Sequence, residues 1–128
     1  MTWTTLPVLA VILIVFWLAR HATQIPERDA LVLLQAGALV IDVRTAGEFV
    51  AGHLPVAVNL PLNEIERSVT RRVESKDQVL LLHCQSGTRS QQAVKKLRAM
   101  GYEKAYNLGS YARAENIVAH KGASLRHG

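Results

Sequence analysis

The sequence predicts an α/β fold in which a parallel sheet is flanked by helices on both faces. Short apolar runs alternate along the chain with stretches whose apolar residues recur at helical spacing. Strands that alternate with helices pair in parallel, and such a sheet is buried on both faces. The 128 residues are enough for one domain of this kind and too few for two.

The first nineteen residues carry no charged side chain and predict a transmembrane anchor. A helix over 1–19 is close to the length that crosses the hydrocarbon core, and Trp3 and Trp17 lie towards its two ends, where aromatic rings favour the interface. An uncleaved or cleaved signal peptide is the alternative, although no small-x-small pair precedes a cut after position 19. Because Arg20 and Arg28 follow the span and no Lys or Arg precedes it, we expect a single pass through an inner membrane with the globular domain in the cytoplasm.

Residues 20–25 form a short linker, 26–120 the globular domain and 121–128 a flexible tail in this interpretation. The domain begins with a helical pattern over 26–38, which opens with Pro26. The apolar run 39–41 follows and predicts a short buried strand that ends at Asp42.

A capping-box pattern marks the next helix, because Glu48 stands three residues after Thr45. This short helix stops near Gly52. Residues 56–60 predict a brief strand that is closed by Pro61. An amphipathic helix over 62–73 follows, and its charged residues form a solvated face.

The second half of the domain repeats the alternation. The apolar run 79–82 predicts a buried strand, and 91–101 predicts a helix that stops at a glycine. A last strand is expected at 104–108 and a last helix from Tyr111 to about His120.

The single cysteine of the chain, Cys84, stands on the turn between a predicted strand and a predicted helix. Unpaired N–H groups and the helix dipole attract anions there and lower the pKa of a thiol. Gly87 allows the turn to direct its N–H groups inwards. Arg89 is a cation near a helix start, which costs about 0.3–1 kcal/mol unless an anion is bound in the turn. We therefore predict a thiolate site at Cys84.

Ligands of open parallel sheets bind beyond the carboxyl ends of the strands. Arg44, Glu48 and Cys84 follow two such strand ends and are therefore expected to lie at the opening of one binding pocket. One cysteine excludes an internal disulfide. The net charge of +5 is spread along the chain without a dense basic block, which argues against nucleic acid as a partner. No metal and no cofactor is expected.

Several short motifs, taken in order and at their spacing, carry a family resemblance. They are Asp42-Val43-Arg44, Glu48-Phe49, Gly52-His53-Leu54-Pro55, Asn59-Leu60-Pro61, Cys84-Gln85-Ser86-Gly87-Thr88-Arg89-Ser90, Gly101-Tyr102 and Tyr106-Asn107-Leu108-Gly109. From roughly Thr23 to Gly109, the chain resembles a single-domain rhodanese-like sulfurtransferase with a membrane anchor. The resemblance implies a three-layer α/β fold. Val56 departs from the family pattern, which has glycine at that position.

The resemblance also implies the reaction. A sulfane sulfur would pass from thiosulfate or a persulfide to cyanide or a thiol, with Cys84 as the nucleophile that holds it as a persulfide. Asp42, Glu48 and His53 match motif positions that we interpret as scaffolding. The candidate substrate-binding residues are Gln85, Ser86, Gly87, Thr88, Arg89 and Arg44.

Two other classes of function stay open at this point. Cysteine-dependent phosphatases and arsenate reductases also have a strand-end cysteine followed by an arginine, but with five residues between the two. Here four residues separate Cys84 from Arg89, which gives a smaller loop. A non-catalytic docking module at the membrane is the third possibility, although such modules usually lack the cysteine.

Overall fold

The computed structural model describes residues 3–127, and side chains are described in 3–18 and 23–122. Four short strands form one parallel sheet: β1 Leu39–Asp42, β2 Ala57–Asn59, β3 Leu80–His83 and β4 Ala105–Gly109. The helices are α1 Thr5–Ala22, α2 Glu27–Gln35, α3 Ala46–Ala51, α4 Ile65–Arg72, α5 Thr88–Ala99 and α6 Tyr111–His127. The strand order β2-β1-β3-β4 confirms the predicted α/β class with a central parallel sheet.

The register of the sheet brings the ends of its strands together. Asp42 at the end of β1 is paired with Asn59 of β2 on one side and with His83 of β3 on the other. The polar residues that follow β1 and β3 therefore leave the sheet at the same edge, as the sequence predicted.

Each face of the sheet has its own apolar core, as expected for a parallel sheet covered by helices on both sides. Ile41 and Leu82 face the core that is closed by α4 and α5, where Ile65, Val69 and Leu97 are fully buried. The opposite core contains buried residues of β1, β3, β4, α2 and α6; they include Val40, Leu81, Leu108, Ala30 and Ile117.

The observed elements differ from the sequence prediction mainly at their ends. Strand β2 has three residues rather than five, and the helix expected from position 62 begins as a 3₁₀ turn at Leu62–Glu64. Helix α5 begins at Thr88, three residues earlier than predicted, and α6 continues to His127 instead of ending near His120. No described residue other than glycine has a positive φ, so Val56 fits its turn without left-handed strain.

The structure does not support the predicted transmembrane anchor at the N-terminus. Helix α1 begins at Thr5, with Pro7 in its first turn, and runs past Arg20 to Ala22. Its large apolar side chains from Leu6 to Leu18 are all more than half exposed. Among the described residues, no helix is both long and apolar enough to cross a membrane. Met1 and Thr2 lie outside the described residues.

Candidate active site

Cys84 follows the last residue of β3 and is fully buried. The chain then turns through Gln85 and Ser86, both exposed, and enters α5 after Gly87. Gly87 has a φ of 96°, a left-handed conformation that other residues rarely adopt. The loop between Cys84 and Arg89 therefore curls around the sulfur at the amino end of a helix.

Two groups in the loop and in α5 contact the sulfur. The Gly87 N–H donates to Sγ at 3.0 Å, and the Ser90 hydroxyl lies 3.5 Å from it. Burial by itself raises the pKa of the Cys84 thiol, but the hydrogen bonds from Ser90, Gly87 and Ser86 outweigh it and hold this pKa below its ordinary value. The site therefore stabilises a thiolate, as the sequence predicted.

A buried polar network supports this arrangement from β4. The side-chain oxygen of Asn107 accepts from the Ser90 hydroxyl at 2.7 Å and from the Gly109 N–H at 2.9 Å. The Asn107 amide nitrogen donates to the Gly87 carbonyl at 3.2 Å. Asn107 thus bonds both residues that contact Sγ, Ser90 through its hydroxyl and Gly87 through its carbonyl. Ser90 and Asn107 were not predicted as site residues, although both lie in motifs that carry the family resemblance.

Arg89 is held by an ion pair with α3. Its guanidinium donates to both carboxylate oxygens of Glu48, at 2.7 and 2.9 Å, and each side chain is about one third exposed. Glu48 also closes the predicted capping box with Thr45. The Arg89 and Thr45 hydrogen bonds lower the pKa of Glu48 to about 2. Because this pKa is lowered on folding, the pair stabilises the protein above about pH 4.3 and loses this effect as the pH falls towards 2.

Arg44 was predicted to bind substrate, but the structure places it elsewhere. It is only 5% exposed, and its Nε and Nη2 donate to the carboxylate of Asp42 at 2.7–3.1 Å. Nη2 also donates to the Gly52 carbonyl at 2.8 Å, and the guanidinium stacks on the Tyr111 ring at 4.7 Å. With these donors engaged inside the protein, Arg44 holds the turn after β1, and its predicted contact with substrate stays a prediction. Asp42 is a paired strand-end carboxylate, as expected.

The two histidines near the motifs have different surroundings. His83 is fully buried, and burial lowers its pKa, which favours the neutral ring. Its Nε2 lies 3.7 Å from an Asp42 oxygen and makes no hydrogen bond within the described residues. The exposed His53 bonds the Phe49 carbonyl at 2.8 Å and stacks on the Phe49 ring. The hydrogen bonds to the Cys84 sulfur come from Gly87 and Ser90 and not from these two rings.

The arrangement suits nucleophilic sulfur chemistry. It provides one thiol with a lowered pKa, backbone and hydroxyl donors that converge on its sulfur, and a guanidinium at the end of the same loop. Cys84 has no exposed surface in this structure. Within the described residues, no cluster of three or more His, Cys, Asp or Glu side chains is able to hold a metal ion.

Comparisons with known proteins agree with this chemistry. A family model described as a rhodanese-like domain matches residues 27–114. The chain is 38% identical over 104 residues to "Thiosulfate sulfurtransferase 18" of Arabidopsis thaliana, covering 71% of this chain and 76% of that protein. It is 33% identical over 69 residues to "Thiosulfate sulfurtransferase PspE" of Escherichia coli strain K12, covering 54% and 66%. The solved structure of the human single-domain sulfurtransferase TSTD1 superimposes with a TM-score of 0.61 at 28% identity, covering 73% of this chain and 96% of that one.

Proposed function

The chain belongs to the rhodanese-like family and is a thiosulfate sulfurtransferase, and we propose that it transfers sulfur through a persulfide on Cys84 to a thiol or to cyanide. The observation that carries this proposal is the set of donors around Sγ. A persulfide ends in one anionic sulfur atom, and a tight ring of N–H and O–H groups at a helix start stabilises such a charge.

In the first half-reaction, the Cys84 thiolate attacks the outer sulfur of thiosulfate. A bond forms between the two sulfurs, the sulfur–sulfur bond of thiosulfate breaks, and sulfite leaves with the electron pair. In the second half-reaction, the acceptor attacks the terminal sulfur of the persulfide. The bond from this sulfur to Sγ breaks, and its electron pair returns to Cys84 as the thiolate.

The test compares sulfur and phosphoryl chemistry. Incubation with thiosulfate should increase the mass of the protein by one sulfur atom, and hydrolysis of an aryl phosphate should be negligible. The reason is that four residues between Cys84 and Arg89 leave a loop too small to surround a phosphoryl group. Inserting one residue between Ser86 and Gly87 should abolish sulfur transfer. Faster hydrolysis of aryl phosphate than sulfur transfer in the natural protein would favour a phosphatase.

We assign the attraction of the anionic donor to Arg89. Arg89→Ala should lower kcat/KM for thiosulfate about ten- to a hundredfold, because it removes about 1.5–3 kcal/mol of charge-assisted bonding. Glu48→Gln keeps this cation and one acceptor for it, so it should cost far less activity. Arg67→Ala removes the same charge from an exposed position on α4 and is the control. Equal losses in Arg89→Ala and Glu48→Gln would instead show that the ion pair only holds the loop in place.

The membrane location is also a proposal. Between Leu6 and Leu18, the described side chains of α1 are apolar and exposed, which is unfavourable in water and favourable in lipid. We therefore assign α1 to membrane attachment, with the domain on the cytoplasmic side. The full chain should sediment with membranes and resist extraction by high salt, whereas a chain starting at Thr23 should be soluble and active. Recovery of a shortened, soluble protein from its host would show a cleaved signal instead.

A further inference from the structure

Ser90 is the movable donor among the groups that contact the Cys84 sulfur. The Gly87 N–H belongs to the backbone, so the loop fixes its direction. The Ser90 hydroxyl rotates about a single bond, and this fully buried residue has its oxygen 3.5 Å from Sγ. Burial raises the pKa of Cys84, and the Ser90 hydroxyl is the largest of the contributions that lower it. The direction of the Ser90 proton therefore bears directly on the state of the sulfur.

This hydroxyl has one proton and, among the described residues, three acceptors. Its oxygen lies 2.7 Å from Asn107 Oδ1, 3.1 Å from the Gly87 carbonyl oxygen and 3.5 Å from Cys84 Sγ. The Gly87 carbonyl already accepts from the Asn107 amide at 3.2 Å and from the Gln91 N–H at 3.3 Å, so both of its lone pairs are engaged. The proton therefore divides between Asn107 and the sulfur.

Asn107 can release this proton at little cost. Its Oδ1 also accepts from the Gly109 N–H at 2.9 Å, so the oxygen keeps a donor when Ser90 turns towards the sulfur. The bond from its amide nitrogen to the Gly87 carbonyl, together with the Gly109 bond, determines which side-chain atom is the oxygen. Asn107 is thus a fixed, buried acceptor beside a hydroxyl that rotates.

The acceptor that Ser90 prefers depends on the charge of the sulfur. While Cys84 is a thiol, its sulfur is a weak acceptor, and the short bond to Asn107 is favoured. Once the thiol proton has left to water, the sulfur is an anion, and a hydrogen bond to an ionised group is roughly twice as strong as a neutral one. Ser90 keeps its own proton throughout and changes only the direction in which it donates.

We propose that Asn107 is a positioning residue that sets how readily Cys84 ionises, because it competes with the sulfur for the single Ser90 proton. Asn107 accepts this proton while the sulfur is neutral and yields it when the sulfur becomes an anion. The proposal rests on the role of Cys84 as the nucleophile, proposed above. In that role the competition matters twice, since a thiolate attacks the donor and a thiolate is released when the acceptor takes the sulfur.

The test is the pH profile of Cys84 alkylation by iodoacetamide. Cys84 is the only cysteine, so the mass of the intact protein reports this thiol alone, and the midpoint of rate against pH gives its pKa. Asn107→Leu is made in the natural protein and in the Ser90→Ala variant. Relative to its effect in Ser90→Ala, the substitution should lower the pKa by about 0.5–1 pH unit when Ser90 is present, because the proton has lost its competing acceptor.

The comparison of the two backgrounds separates competition for the proton from support of the loop. If Asn107 only supports the loop, Asn107→Leu displaces the Gly87 N–H and changes the pKa equally with and without Ser90, which overturns the proposal. Asn107→Asp is the second variant and replaces Asn107→Leu if that protein does not fold. Its carboxylate holds the Ser90 proton more firmly, so the part of the shift that depends on Ser90 should be a rise in pKa. A rise that is equal in both backgrounds also overturns the proposal.

The control and the readout keep this proposal distinct from the persulfide mechanism. Asn116→Leu replaces an exposed asparagine of α6 and should leave the alkylation profile unchanged. Alkylation needs no sulfur donor. A protein that shows the expected pKa shifts but takes no sulfur from thiosulfate would therefore refute the persulfide mechanism and leave the effect of Asn107 on the thiol standing.

Discussion

Cys84→Ser is expected to abolish both the sulfur adduct formed with thiosulfate and the transfer of sulfur to cyanide. Cys84 is the only cysteine, so no other thiol in the chain can hold the sulfur. A serine hydroxyl at this position is not ionised near neutral pH, and the donors that stabilise the thiolate have no anion to bind. Mass spectrometry of the intact protein measures the adduct, and a thiocyanate assay measures the transfer.

The substitution should leave the fold unchanged, because serine is slightly smaller than cysteine and its oxygen can accept from the Gly87 N–H. Circular dichroism and the melting temperature provide the control. Ser90→Ala is an informative second variant, since it removes one of the donors to Sγ and should raise the pKa of the thiol without abolishing the adduct. Undiminished transfer by Cys84→Ser would refute the persulfide mechanism.

Asp42→Ala should lower the free energy of unfolding by about 3–5 kcal/mol, the usual cost of leaving one partner of a buried ion pair uncompensated. The Asp42 side chain is fully buried and bonds both Nε and Nη2 of Arg44, which is itself 5% exposed. Without the carboxylate, the Arg44 cation remains inside the protein with the Gly52 carbonyl as an acceptor. Urea unfolding measures the change.

The matched control is Asp77→Ala, which removes an exposed carboxylate and should change stability by less than about 0.5 kcal/mol. The double variant Asp42→Leu with Arg44→Met removes both charges and should recover much of the loss, because an apolar pair leaves no buried ion. A loss below 1 kcal/mol in Asp42→Ala would mean that water reaches Arg44. It would reopen a role for this arginine in substrate binding.

The order of the elements was predictable from the sequence because each depends on local patterns. Short apolar runs identified β1 and β3, and the Thr45 to Glu48 spacing identified the start of α3. The turn that carries Cys84 was predictable for the same reason, since a strand end, a glycine and a helix start are adjacent in the chain.

The hydrogen-bond partners of the polar side chains were harder to predict from the sequence. Glu48 was recognised as part of a helix cap, but its ion pair with Arg89 joins residues 41 positions apart in the chain. The hydrogen bond from Ser90 to Asn107 joins residues 17 positions apart. Such pairs depend on how the helices pack on the sheet, which periodicity does not specify. The surroundings of Arg44 were missed for the opposite reason. Its partner Asp42 is only two residues away, and both side chains are buried at the end of β1. Substrate binding by Arg44 stays a prediction.

The connector before α2 has a consequence for solubility. Strand β4 is at the edge of the sheet, and Ile25 donates its N–H to the Asn107 carbonyl of β4 at 2.9 Å, with Gln24 bridged to the same residue. These bonds occupy backbone groups that an open edge would offer to a strand of another molecule. Shortened forms that lack Gln24 and Ile25 would expose this edge and become prone to aggregation, whereas forms that retain them keep the edge capped by their own chain.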